Sequence, residues 1–366
     1  MAKVNWMEKL QKLDGAIIER KNPFMDVLRS PSPSVNFTFG NTHGLPKNYG
    51  AILYGPRSGG KSLLLNLMIG QLHQDDPEAI AVKYDTEARD ELQLQERDMV
   101  KFGIDPKRYL AFKTNEPKFI FDPIAKDIVG RIQEGCPIKL IAIDSINNIR
   151  GRRSLDATTI DTMQRGDEAL TLQEGFKWIH TAVRNYGVGL IVTAHIRAEQ
   201  DANEIRKGNT IRLGAANAVQ HFFEYFVYVD IDKTKAGSTD IAGNKFTDAN
   251  LTDMADKEEQ TGFKVRCTMK KSTIGPIGRV GEFTFDFKKG IINVHEEVFL
   301  LGVARNVIEK VTSMTYGFGG QTWVGKQAMI TAIKDNVELQ EAIVKKIRQL
   351  DIDNPNFEHE AVNVEE

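Results

Sequence analysis

Eight consecutive residues, Gly55-Pro56-Arg57-Ser58-Gly59-Gly60-Lys61-Ser62, have the spacing G-x-x-x-x-G-K-[ST]. An apolar run, Ala51-Ile52-Leu53-Tyr54, enters the motif and a helical pattern from Ser62 to Leu72 leaves it. That strand–loop–helix context makes the motif a P-loop and not merely a glycine-rich turn. Gly55, Gly59 and Gly60 carry no Cβ, so the main chain can wrap a triphosphate closely with its N–H groups. Lys61 is placed for the β/γ-phosphates. Ser62 opens the helix, where a hydroxyl can ligate Mg²⁺ beside the unpaired N–H groups.

Three further groups stand where apolar runs end. Asp85-Thr86-Glu87 places Glu87 to orient or deprotonate a water, the bland alternative being a surface loop acid. Asp144-Ser145 follows Leu140-Ile141-Ala142-Ile143 and reads as a Walker B acid for Mg²⁺, held directly or through water. Thr193-Ala194-His195 offers His195 as a γ-phosphate sensor. Two glycine-containing loops follow, at 150–168 and 196–220. The first holds Arg150, Arg152, Arg153, Met163 and Arg165; the second holds Arg197, Ile205, Arg206, Lys207 and Arg212. Clustered cations on segments too polar to bury themselves suit a phosphodiester strand, and solvated charged loops are the alternative. Lys270 and Lys271 precede a Gly275-Pro276 turn, either as edge protection of a sheet or as cations for a neighbouring nucleotide site.

The elements that must position these groups alternate short apolar runs with helical segments, the pattern of an α/β domain with a mainly parallel sheet. Strands are expected at 51–54, 79–84, 139–143, 189–193, 225–230, 264–269 and 281–285. Ligands in such sheets sit at the carboxyl ends of the strands, where every group above falls. Residues 1–33 read as an apolar-striped helix (Trp6, Leu10, Leu13, Ile17) with a Ser30–Ser34 linker, 34–290 as the core, 291–350 as a small helical unit, and 351–366 as a disordered acidic tail. A chain of 366 residues with 41% hydrophobic and 27% charged residues can bury a full core. The charged N-terminus argues against a secretory signal and no apolar run is long enough to span a bilayer, so a cytoplasmic setting without a membrane partner is expected. Two distant cysteines form no metal-ligand spacing, and a net charge of −2 requires any nucleic-acid surface to be local.

The series of motifs resembles the RecA family of DNA recombinases, bacterial and phage-encoded. The resemblance covers about 34–350 and is carried by Gly44-Leu45-Pro46, the P-loop, Tyr84-Asp85-Thr86-Glu87, Ile143-Asp144-Ser145, Thr193-Ala194-His195-Ile196-Arg197, Lys270 to Pro276 and Lys334-Asp335-Asn336. It implies a RecA-like core using ATP and Mg²⁺, a helical filament on single-stranded DNA, and pairing with a homologous duplex. By the same resemblance Glu87 is the catalytic carboxylate, Asp144 the Walker B acid, and the two arginine-rich loops the DNA-binding loops. Lys270 is the first of two lysines reaching the neighbour's ATP. Between Glu87 and Gly103 the chain is longer than in bacterial RecA, so the resemblance assigns no adenine contact there and Arg97 is a candidate for stacking on the base. Three departures stand out. His195 replaces a glutamine; Ser272 falls at the second lysine, leaving Lys270 or Lys271 to supply the charge; and the second loop lacks an aromatic wedge, so Ile205 or Met163 takes that role. A ring helicase on the same core, a small-molecule kinase and a recombination mediator are the competing readings. Only about 28 residues precede the core, against the separate domain usual in such helicases, and Glu87 suits water better than a kinase acceptor.

Overall fold

The computed structural model describes residues 26–90, 96–152, 166–198, 206, 211–213, 218–231, 262–273 and 275–353. Nine strands form one sheet: β1 (Gly50–Gly55), β2 (Ile80–Asp85), β3 (Tyr109–Lys113), β4 (Ile138–Asp144), β5 (Gly189–His195), β6 (Tyr225–Ile231), β7 (Gly262–Lys271), β8 (Val280–Asp286) and β9 (Gly290–Ile292). Their order is β9-β8-β7-β6-β1-β5-β4-β2-β3. The six strands from β6 to β3 are mutually parallel, and β7, β8 and β9 extend the β6 edge antiparallel. The mainly parallel α/β sheet expected from the sequence is therefore present. All seven expected strands occur; 79–84 is shifted by one residue at unchanged length, 264–269 is four residues longer, and the other five are one or two longer, while β3 and β9 are additional.

Side chains alternate across the sheet, so each strand feeds two cores. One face buries Ala51, Leu53, Leu140 and Val227 under Leu64, Leu65, Met68 and Leu72 of α2 (Lys61–Asp75), and α1 (Pro33–Thr38) packs nearby through Val35. The other buries Ile52, Val82, Ile141 and Val192 under Leu172, Phe176, Ile179 and Val183, spaced at helical intervals on α4 (Asp167–Asn185). A short helix, α3 (Glu96–Phe102), lies against α2, where a Cβ on Gly70 would come within 1.6 Å of the Phe102 carbonyl oxygen. Each buried Leu, Ile or Phe contributes about 1.5–3 kcal/mol, so both helices are fixed by the sheet they cover. No helix among the described residues is long and apolar enough to cross a membrane.

The region beyond β9 is more than helical. It joins α5 (Val294–Ala304), α6 (Lys326–Asp335) and α7 (Val337–Asp353) to a three-stranded antiparallel sheet, β10 (Glu309–Lys310), β11 (Thr315–Phe318) and β12 (Gln321–Val324). Val298, Ile330, Ile333, Ile343 and Ile347 form its core. The segment expected as a linker is folded: Ser32 caps α1 by accepting from Val35 N–H at 3.2 Å and donates to Glu297 Oε2 of α5 at 2.5 Å. The first three positions of the expected tail belong to α7. Asp351 is wholly buried, bonded to Arg305, to Arg279 at 3.2 Å and to His43 Nε2 at 2.6 Å. These partners come from both regions, so Asp351 pins the C-terminal unit to the core. Positions 1–25 and 354–366, which hold the expected N-terminal stripe and the remaining tail, lie outside the described residues.

Burial alone would raise the Asp351 carboxyl. The hydrogen bond from His43 and the charges of Arg279 and Arg305 outweigh it and hold the group below its ordinary value. Its contribution to stability is accordingly complete above the unfolded value and is lost as pH falls through the folded one. Asp351→Ala should cost about 3–5 kcal/mol by leaving buried guanidiniums without their carboxylate, read as a lowered denaturant midpoint at neutral pH. A midpoint within error of the parent would show that the pin carries no net stability.

Candidate functional site

Strand register brings the site together. Gly55 of β1 pairs with His195 of β5, Ile143 of β4 with Val192, and Asp85 of β2 with Asp144 of β4. Four carboxyl ends therefore stop at nearly one level, and the P-loop, Glu87, Asp144 and His195 follow or sit on them. Gly55 is required by packing: an added Cβ would lie 2.0 Å from the Val229 carbonyl oxygen of β6. This adds a second reason for glycine there, besides approach to phosphate.

Within the P-loop, Arg57 and Ser58 are exposed, Pro56 is half-buried and Gly59 is buried. Gly60 has φ +90° and precedes α2, which Lys61 and Ser62 open. The Lys61 side chain is buried and donates to the carbonyl oxygens of Gly55 at 3.2 Å and Pro56 at 2.5 Å. Burial pushes its ammonium down to about 8, against the pull of Asp144 and Glu87. A buried ammonium held by carbonyls, beside the free N–H groups of a helix start, is the electrostatic complement of an anion such as a phosphate. Asp230, at the end of β6, adds to the field at Lys61 and was not singled out by the sequence motifs.

Glu87 and His195 are in direct contact, with Nε2 2.8 Å from Oε1. Ser145 Oγ donates to the same oxygen at 3.0 Å, and Arg89 lies 3.0 Å from Oε2. These bonds, that from His195 first, pull the Glu87 carboxyl down to about 2. A carboxylate accepts only, so His195 carries its proton on Nε2. In this arrangement Glu87 is held as a carboxylate, able to accept a hydrogen bond from a water. The His195 main-chain N–H donates to Asn147 Oδ1 at 2.6 Å, and Ile196 N–H donates to the Gly55 carbonyl at 3.3 Å.

Asp144 accepts from Thr193 Oγ1 and lies 3.3 Å from the ammonium of Lys83. Lys83 is wholly buried in β2; burial would strip its proton, but the charges of Asp144 and Asp90 outweigh that and keep it cationic. Among the described residues no group of three His, Cys, Asp or Glu is arranged to hold a metal ion. Asp144, a single carboxylate in the field of Lys61 at the helix start, is the kind of ligand Mg²⁺ takes, since that ion uses one or two protein oxygens and completes its shell with water and phosphate.

Sequence reasoning missed Asn147, Asp230 and Lys83, and quoted Thr193 only as part of the His195 motif without giving it a role. Asn147 sits two residues beyond Asp144-Ser145, and Lys83 was legible as a charge inside an apolar strand. The lysine pair separates. Lys270 is exposed, whereas Lys271 points to the opposite face of β7 and donates to the carbonyls of Gln220 at 3.0 Å and Phe223 at 2.9 Å. It also lies 4.7 Å over the Phe226 ring. Strand alternation thus ties Lys271 to its own subunit and removes it as a cation for a neighbour.

Of the arginine-rich loops, the roots are described. Arg150, Arg152, Arg197 and Arg206 are exposed. Arg212 lies on a two-residue strand, Ile211–Arg212, directly paired with Arg197 of Arg197–Ala198. Arg153, Met163, Arg165, Ile205 and Lys207 lie outside the described residues. Arg97 lies on α3, but its side chain is not among those described.

The fold is that of a P-loop α/β protein with a RecA-like core. No protein-family model matches the chain. It is 23% identical over 309 residues to a RecA protein of Oleidesulfovibrio alaskensis, covering 83% of this chain and 77% of that one. It is 24% identical over 306 residues to a RecA protein of Cytophaga hutchinsonii, covering 84% and 77%. This distant homology supports membership of the RecA-like family.

If His195 is the main cause of the depressed Glu87 carboxyl, His195→Ala should raise its titration midpoint from about 2 toward the ordinary 4.5. The side-chain carboxyl ¹³C signal, assigned by its loss in Glu87→Gln, reads this directly. An unmoved midpoint would assign the depression to Ser145 and Arg89 instead.

Proposed function

We propose that the chain is an ATP-dependent homologous recombinase that assembles as a filament on single-stranded DNA, pairs it with a homologous duplex and exchanges strands, hydrolysing ATP faster when DNA is bound. The observation that carries this reading is the 2.8 Å contact between Glu87 and His195. It joins the candidate hydrolytic carboxylate to the residue from which the second arginine-rich loop departs.

In this reading the P-loop amides and Lys61 hold the β/γ-phosphates, and Ser62 and Asp144 hold Mg²⁺. A Mg²⁺ held by these two residues would supply positive charge against the triphosphate. A γ-phosphate offers the Nε2–H of His195 a second anion. As the ring turns to it, Glu87 is freed to accept a hydrogen bond from water and align it for in-line attack, and the root of the loop moves with the ring. ADP and phosphate are the products. Arg150, Arg152, Arg197, Arg206 and Arg212, with Arg153, Arg165 and Lys207, supply cations for DNA phosphates; Met163 or Ile205 supplies an apolar wedge. Lys270 reaches the neighbouring subunit's nucleotide, so full activity requires assembly.

Hydrolysis measured without DNA, with single strands and with duplex, together with imaging of the complexes, tests the reading. DNA-stimulated turnover in filaments supports it, whereas closed rings that move along DNA would select the helicase. Glu87→Gln should bind ATP yet lower turnover by about 10²–10⁴. Mixing Glu87→Gln with Lys270→Ala should restore part of the DNA-dependent activity, because some junctions join an intact carboxylate to an intact lysine. No recovery in filaments containing both proteins would refute the action of Lys270 across the junction.

The loops give a separate test. For single strands, log affinity falls with log salt at about 0.7 per phosphate neutralised. Replacing Arg206 and Lys207 by alanine should weaken binding and flatten that slope by roughly 0.7 per lost contact. An unaltered slope would put the DNA path elsewhere.

A further inference from the structure

We propose that Lys83 is a built-in counter-ion that sets the divalent-cation affinity of Asp144, an inference that rests on reading the P-loop site as a Mg²⁺–nucleotide site. Lys83 lies on the face of the sheet that carries Asp85 and Asp144, which the β2–β4 register makes direct cross-strand neighbours. Like charges so placed repel. Asp85 is quenched by main-chain N–H groups: Glu87 N–H donates to it at 3.1 Å and Asp90 N–H at 2.8 Å. Asp144 receives the ammonium instead. Lys83 Nζ lies 3.3 Å from Asp144 Oδ2, 2.8 Å from Asp90 Oδ1 and 3.3 Å from Asn66 Oδ1. The Tyr109 hydroxyl donates to the other oxygen of Asp90 at 2.7 Å.

A divalent cation at Asp144 has to share that carboxylate with a buried positive charge, and in a poorly screened interior the repulsion is large. Lys83 has a second carboxylate within reach, so it can lean on Asp90 while Asp144 turns to the metal. The consequence is conditional capture. Free cation is held weakly by the empty site, and the phosphate oxygens that arrive with a nucleotide supply the missing attraction. Lys83 touches neither nucleotide nor water in this arrangement and acts through Asp144, as a positioning residue.

Mn²⁺ binding to the full chain, followed by loss of the free-ion electron paramagnetic resonance signal with and without ADP, reads the effect without reference to turnover. Lys83→Met should bind Mn²⁺ about tenfold more tightly in the absence of nucleotide, with a smaller further gain from ADP. Asp90→Asn, at a half-buried position, removes the second carboxylate and should bind Mn²⁺ more weakly than the parent. Changes of opposite sign cannot come from general loosening. Should Lys83→Met fail to fold, Asp90→Asn alone carries the test. Fluorescent ADP binding with Mg²⁺ present serves as the control on the site itself. Parent protein that binds no nucleotide would overturn the P-loop reading and this inference with it. Nucleotide binding with unchanged Mn²⁺ curves in Asp90→Asn, or in folded Lys83→Met, would overturn the inference alone.

Discussion

The site depends on the register of four parallel strands. Gly55 opposite His195 and Asp85 opposite Asp144 are consequences of strand pairing. Because successive residues of a strand face opposite sides, a slip of one position in β4 would turn Asp144 away from Lys83 and toward the α4 face. What prevents the slip is burial on both faces: Ile141 and Ile143 fit one core while Leu140 and Ala142 fit the other. The apolar layers, which do no chemistry, thereby fix the height and direction of the residues that can.

Levelling the strand ends gathers carboxylates, and each must find a donor. Asp85 takes main-chain N–H groups, Asp144 takes Thr193 and Lys83, and Glu87 takes His195, Ser145 and Arg89. Buried unpaired acids would cost several kcal/mol each, on the order of the whole stability of a domain when summed. The pairing therefore stabilises the fold of the empty site. It also means that a bound anion or cation does not enter vacant space: it exchanges with a partner already present, and the displaced partner has to move.

Much of this was legible in the sequence, for reasons that differ by element. Five of the seven expected strands are apolar runs buried on both faces, the strongest pattern a parallel sheet leaves, and the antiparallel β7 and β8 show instead the alternation of a sheet buried on one face. Tyr109–Lys113 escaped notice because it is an edge strand with Leu110 and Phe112 partly exposed, and Gly290–Ile292 is too short to show a period. The motifs were legible because Asp144 and His195 end strands and Glu87 and Lys61 lie a few residues beyond the ends of two others, and register brings those strand ends to one edge of the sheet. Composition misled at the C-terminus, where a run of acids concealed that Asp351 is an interior residue with partners distant in sequence. Adjacency misled at Lys270 and Lys271: neighbours on a strand face opposite ways, so two lysines in a row offer only one to a given side. Lys83 was passed over because a strand averages as apolar even when one buried position is charged.

Hydrogen bonds at the roots of the loops give the site its means of communication. His195 is held at three points of different kinds: its ring by Glu87, its own N–H by Asn147 on the turn after β4, and the N–H of the next residue by the Gly55 carbonyl at the start of the P-loop. The two main-chain bonds lead in different directions, one to Asn147, three residues before Arg150, the other to the phosphate cradle. Both arginine-rich loops therefore begin from atoms bonded to the same residue. On the proposed reading of His195 as a phosphate sensor, coupling between the loops would need no contact between them, because the roots of both bond to that residue or its neighbour.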